Sequence, residues 1–235
     1  MSEETKAPWM LDEGLDGDMS GDAGFRGNSM TRFRMKKASD TSIIFLTDGP
    51  KFRILWEHEV KIAGFYGNFF GCLQMLGLPC PLCQLALSEA PRGVGKRYKI
   101  CVATIVHLTE YTDKKGAVHK NERRFFCAKA ATVEILNRKY RSRVEAGQTL
   151  KYAMYKVART SNEKGAAVGE DFEFVKMIDP AALPDATELD YSTFAPNPAL
   201  VKTLIGSLPS AESFGSKPDD FHPPGTDSTD DSVKY

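Results

Sequence analysis

A chain of 235 residues with only five cysteines is no disulfide-stapled scaffold, and it is long enough to bury one sizeable core with appendages. No apolar run approaches the roughly 18 residues of a membrane-spanning helix, and the acidic start lacks the basic-then-apolar pattern of a secretory signal, so a soluble cytoplasmic protein is expected. The net charge of 0 hides a segregation: residues 1–24 carry seven acids and one Lys, residues 207–235 six acids and two Lys, and residues 25–206 a net +10. Within that body, residues 92–159 hold 17 basic and 5 acidic side chains. A basic body between acidic ends fits a polyanion-binding domain with solvated tails; the plainer alternative is a solvated surface of mixed charge.

In chain order, residues 1–29 are rich in Asp, Glu and Gly without periodicity and read as a mostly disordered leader. Phe33–Lys37 reads as a short strand with Arg32, Arg34 and Lys36 on one face. Ser42–Leu46 is an apolar strand, Asp48-Gly49-Pro50 a turn, and Lys51–Val60 a long strand with Phe52, Ile54, Trp56 and His58 on one side and Lys51, Arg53 and Glu57 on the other. Between Gly64 and Gly71 four aromatics (Phe65, Tyr66, Phe69, Phe70) suggest a flexible loop. A short helix is expected over Cys80–Ala90 and a central strand over Arg97–Thr109, apolar on both faces. A hairpin loop follows at Asp113–Asn121, a strand at Glu122–Ala128 and a helix at Thr132–Val144 that stops at Gly147. Thr149–Arg159 and Phe172–Ile178 form the last strand pair. Residues 180–206, with four prolines before the apolar Ala199–Ile205, read as a strap ending in a short helix, and 207–235 as a disordered acidic tail.

This pattern predicts a mainly β protein: an antiparallel Greek-key barrel of the oligonucleotide-binding (OB) type over residues 30–179, with a zinc-bearing insertion at 58–90; an SH3-like or other small barrel is the alternative. The insertion is the most specific feature. His58, Cys72, Cys80 and Cys83 fall within 26 residues and end in Cys-x-x-Cys, the ligand set of a four-coordinate Cys3His zinc site. Four protein ligands leave no open position, so one structural zinc per chain is expected. The competing readings are buried apolar cysteines with a satisfied strand histidine, or a redox pair.

Single-stranded nucleic acid asks for cations along a track and ring faces on which bases stack. Candidate cations are Arg32, Arg34, Lys36, Arg53, Arg97, Lys99, Lys120, Arg123, Arg124 and Lys129; candidate rings are Phe65, Tyr66, Phe69, Phe70, Phe125, Tyr152 and Tyr155. Core packing is the competing role for each ring, and Tyr66, Phe69 and Phe70 are the rings favoured for stacking.

The order Arg32-Phe33-Arg34-Met35-Lys36, Ile43-Ile44-Phe45-Leu46, Trp56-Glu57-His58, the aromatic stretch to Cys72, and Pro79-Cys80-Pro81-Leu82-Cys83 resembles the zinc-containing single-stranded DNA-binding proteins of tailed bacteriophages. The stretches Tyr111-Thr112-Asp113-Lys114-Lys115-Gly116 and Gly169-Glu170-Asp171-Phe172-Glu173-Phe174 are similar to that family too, so that the likeness covers roughly residues 30–178. The resemblance implies an OB barrel, a structural zinc, a non-enzymatic protein that coats single-stranded DNA in replication, recombination and repair, and an acidic C-terminal tail that recruits the proteins of those processes. Asp219, Asp220 and Phe221 are the recognition element expected in that tail. Weak self-association on DNA is a further partner expectation, though the acidic residues 1–24 stand where the family's best-known members carry a basic arm. Residence in the cytoplasm of a bacterial host follows if the protein is phage-encoded.

Two other classes compete. One is a zinc-stabilised interaction protein with no nucleic-acid role. The other is a zinc-dependent nucleobase deaminase, for which Pro79-Cys80-Pro81-Leu82-Cys83 fits but the general acid/base Glu, expected two residues after the ligand His, is replaced by Val60.

Overall fold

The computed structural model describes residues 32–208, apart from 37, 63–64, 89–91, 113–117, 162–163 and 184. The expected acidic leader and the tail element Asp219-Asp220-Phe221 therefore lie outside the described residues. The strands are β1 (Ser39–Phe45), β2 (Arg53–Ile62), β3 (Phe65–Gly71), β4 (Tyr98–His107), β5 (Tyr111–Thr112), β6 (Val118–His119), β7 (Glu122–Ala128), β8 (Ala153–Arg159) and β9 (Asp171–Met177). The helices are α1 (Pro81–Leu87), α2 (Ala130–Glu145) and α3 (Pro198–Ser207).

Seven strands form one antiparallel sheet in the order β3-β2-β4-β1-β8-β9, with β7 on the remaining edge of β4; β5 and β6 pair separately. Strand β4 is the organiser, as its apolar residues on both faces require: β2 takes its first half and β1 its second, while β7 runs along the opposite edge. The expected mainly β, antiparallel architecture is present, but the pairing does not close it into a barrel. Among the described residues no ladder joins β7 to β9, and the sheet is open. The extended segment 32–35 crosses this gap, with Phe33 N–H donating to the Phe125 carbonyl (2.8 Å) and Met35 N–H to that of Ala167 (2.9 Å). The strand expected at Phe33–Lys37 is thus reduced to a bridge at Arg32. Its alternation survives in part: Phe33 and Met35 are buried and Arg34 and Lys36 exposed, but Arg32 is buried as well.

The main core lies on one face of the sheet, where Phe33, Phe45, Phe52, Phe126, Tyr155 and Phe172 pack together. Helix α2 closes it with Val133 and Leu136, and Tyr140 rests on Gly49, where any Cβ would stand 2.8 Å from the ring. The helix ends as Gly147 predicts. Gly147 takes φ +68°, its N–H reaches the Val144 carbonyl and that of Gln148 reaches Arg143, which satisfies carbonyls the helix leaves unpaired.

The loop between β8 and β9 is tied by Glu170. Its carboxylate accepts from the hydroxyls and backbone N–H groups of Thr160 and Ser161, hydroxyls first, and these bonds hold its carboxyl down to about 2. A depressed folded value contributes stability that is present above the ordinary 4.5 and is lost as pH falls towards 2. Wild type should therefore melt above Glu170→Gln at neutral pH, and the gap should close on acidification through that window.

After β9 the chain becomes a strap. Tyr191 and Phe194 pack on Leu55, Val102 and Phe125, on the sheet face away from the main core. The Tyr191 hydroxyl lies 2.8 Å from those of both Thr47 and Thr104, and Arg123 pairs with Asp185 at 2.8 Å. Asn197 then caps α3 by accepting from Leu200 N–H, with Pro198 in the first helical position. Tyr191→Phe removes the hydroxyl shared by Thr47 and Thr104, which keep Glu188 and the Leu189 N–H as partners, and should cost about 0.5–1.5 kcal/mol, read as a lower denaturant midpoint at unchanged slope.

Candidate metal centre and cationic cleft

Four elements bring the predicted ligands together. His58 sits on β2, Cys72 follows β3, Cys80 precedes α1, and Cys83 lies in the first turn of that helix, which Pro81 starts. The return from Cys72 to Cys80 is a short helical turn, Leu73–Leu76, ended by Gly77 in the left-handed region at φ +71°. All four ligand atoms lie within 4.8 Å of one another. The Cys83 and Cys80 sulfurs stand 3.4 and 3.7 Å from His58 Nε2, and those of Cys72 and Cys83 are 3.5 Å apart. A tetrahedron with zinc bond lengths has edges of about 3.8 Å between sulfurs and about 3.6 Å from sulfur to nitrogen. The cluster can therefore hold a metal ion, and its donors are those zinc takes.

The surroundings support that role. Nδ1 of His58 donates to the Gly95 carbonyl at 2.9 Å, which fixes the ring and turns Nε2 towards the sulfurs. Val60, Leu73, Leu82, Val94, Val201 and Leu204 enclose the group in apolar side chains, so helix α3 at the end of the strap packs against the metal module. Arg97, stacked on Trp56 at 4.6 Å, brings an Nη to 4.0 Å from the Cys72 sulfur, a positive charge beside a thiolate-rich site. The hydrogen bond from Cys72 lowers the Cys80 thiol far below its ordinary value, while Cys72 is raised by the same bond and then by burial.

The other face of β2 lines a cleft of about 290 Å³. Because strand neighbours alternate, His58 faces the metal and Glu57 the cleft; across the β2–β3 ladder Phe70 pairs with His58, and Phe69 with Glu59. The floor is an ion pair: Arg32 Nη1 and Nη2 donate to Glu57 Oε1 (3.1 Å) and Oε2 (2.8 Å), with both side chains buried. Tyr98 donates its hydroxyl to Oε1 at 2.9 Å. Glu57 lies on the side of β2 opposite His58, as the alternation predicts, and it is buried there because the molecule covers both faces of the strand. Phe69 covers the Arg32 guanidinium at 4.2 Å, with Arg34 5.2 Å from the same ring, and Lys129 Nζ lies 4.0 Å above the Tyr98 ring. Cys127 also lines the cleft; burial pushes its thiol up to about 12, so it stays protonated at neutral pH.

The cleft thus gathers Arg32, Arg34, Phe69 and Lys129 from the expected set, and adds Glu57 and Tyr98, which sequence reasoning missed. The remaining candidates lie elsewhere. Tyr155, expected as a stacking ring, is fully buried among Phe45, Phe172 and Phe174. Phe70 packs into the apolar shell of the metal module. Arg53 lies over the Tyr191 ring at 5.4 Å and Arg123 holds the strap. Lys120 pairs with Glu110 at 3.2 Å, Arg97 serves the metal module, and Tyr152 lies under Lys151 at 5.1 Å. Lys36 is exposed just beyond the cleft segment, and the side chain of Tyr66 is outside the described residues. The aromatic stretch expected as a flexible loop is strand β3, paired along β2. No described helix is long and apolar enough to cross a membrane.

No protein-family model, curated protein or solved structure matches the chain.

Proposed function

We propose that this is a zinc-stabilised, non-enzymatic single-stranded DNA-binding protein of largely sequence-independent affinity, of the kind tailed bacteriophages use to protect strands exposed in replication, recombination and repair. The observation that carries the reading is the cleft, where Arg34 and Lys129 stand against the rings of Phe69 and Tyr98. Cations gathered with aromatic rings in one cleft suit a strand whose phosphates are neutralised while its unpaired bases stack. A duplex hides those base faces, so preference for the single strand follows, and binding only the open strand destabilises duplex by mass action. The OB-type barrel and the structural zinc of His58, Cys72, Cys80 and Cys83 belong to the same proposal: the open sheet bridged by segment 32–35 supports the first, the donor set and its spacing the second.

The proposal extends to residues 209–235 as an acidic tail that competes with DNA for the cationic surface and, once released, recruits replication and recombination proteins in the host cytoplasm. Leu208 is buried and its carbonyl accepts from Arg92, so a truncation testing this must begin after Leu208. The decisive experiment is binding of labelled single-stranded, duplex and RNA oligonucleotides across a salt series. Affinity for oligo-dT should fall with salt, with a log–log slope of about −0.7 per phosphate contact. Preference for duplex, or no binding, rejects the function.

A further inference from the structure

The buried ion pair beneath the cleft has no counterpart in the simple picture of cations reaching for phosphates. Arg32 offers its two terminal nitrogens to Glu57, both partners are almost inaccessible, and Tyr98 adds a third bond to the same carboxylate. The guanidinium carbon lies over two rings, 4.2 Å from the centroid of Phe69 and 5.5 Å from that of Phe194 in the strap. A buried pair is expensive to desolvate and is often no more stabilising than apolar residues of the same shape, so stability alone is a poor reason for it. What the pair does supply is geometry: one carboxylate fixes the plane beneath Phe69 and the tilt of Tyr98, the two rings the cleft presents.

We propose that Glu57 is a positioning residue of the cleft, holding Arg32 and Tyr98 so that the floor accepts a nucleobase and the phosphates stay at the rim with Arg34 and Lys129. The inference rests on the single-strand reading above. With its charge matched by Glu57, Arg32 contributes no phosphate contact; its part is to back the Phe69 ring.

The test is the double substitution Arg32→Gln/Glu57→Gln, which keeps net charge and a neutral hydrogen-bonded pair but removes the planar, doubly bonded guanidinium. Oligo-dT affinity should fall about tenfold with the salt slope of wild type, while stoichiometric titration gives the same active fraction, a readout that loss of folded protein would move. A slope shallower by about 0.7 makes Arg32 a phosphate ligand and overturns the inference. Affinity within twofold of wild type overturns it too, leaving the pair a packing feature. Should the double variant fail to fold, Tyr98→Phe removes only the hydroxyl given to Glu57; it should weaken binding severalfold at unchanged slope, and unchanged affinity overturns the inference. Wild-type protein that binds no single strand rejects the function and the inference together, whereas wild-type binding with indifferent variants rejects the inference alone.

Discussion

Removing the metal should lower the melting temperature by about 8–16 °C. A ligand that binds only the folded state at a thousand times its dissociation constant contributes about 4 kcal/mol, and 1 kcal/mol moves the midpoint of a domain this size by about 2–4 °C. The effect should be large because the cluster ties three parts of the chain to one point and organises the apolar shell around it. His58 and Cys72 anchor the β2–β3 hairpin, Cys80 and Cys83 the start of α1, and the apolar shell they organise receives Val201 and Leu204 of the strap. Without the ion, three sulfurs and an imidazole remain crowded within 4.8 Å of one another with no cation between them. Cys83→Ser should reproduce the loss and abolish zinc at one equivalent per chain. Cys127→Ser should keep the metal, since Cys127 lies on β7 in the cleft wall. Metal analysis together with melting curves, with and without chelator, checks both statements. A melting curve indifferent to chelation of protein that carries zinc removes the structural role.

How far the sequence reaches depends on whether the information is local. The metal cluster was legible because its four donors lie within 26 residues and the Cys-x-x-Cys spacing is set by one helical turn. The central place of β4 was legible because a strand apolar on both faces has to be covered on both. The cleft was not, since it depends on pairing across long separations. Glu57 meets Tyr98 only because β2 pairs with β4 in that register, and meets Arg32 only because segment 32–35 crosses the gap beside β7. From local alternation Glu57 is a polar residue on the outer face of a strand, a position normally given to solvent. The strap that covers this face enters the chain more than 120 residues later. Which strand edges meet is not legible for a related reason, because strand count and alternation do not specify it. The aromatic stretch 65–70 was misread because its glycines suggest a loop, whereas β2 supplies a ladder that outweighs local flexibility.

Phe69→Ala should weaken binding of single-stranded oligonucleotides about 5- to 150-fold, the range of one lost stacking contact worth about 1–3 kcal/mol. Its salt slope should match wild type, because no charge is removed. Arg34→Ala should do the converse: its guanidinium is exposed beside the Phe69 ring, and losing one phosphate contact makes the slope shallower by about 0.7. The neighbouring Phe70 provides the internal comparison. Sequence alone groups Phe69 and Phe70 as loop aromatics, but on β3 they face opposite sides, Phe69 over Arg32 in the cleft and Phe70 in the apolar shell of the metal module. Phe70→Ala should therefore lower stability, by up to about 3 kcal/mol, and leave the affinity of the folded protein near wild type. Fluorescence anisotropy across a salt series and a denaturant titration separate the two variants. If Phe70→Ala loses affinity as Phe69→Ala does, with equal active fractions, bases reach the metal-facing side of the hairpin and the cleft does not account for binding. If neither loses affinity, single strands bind somewhere other than this face of the sheet.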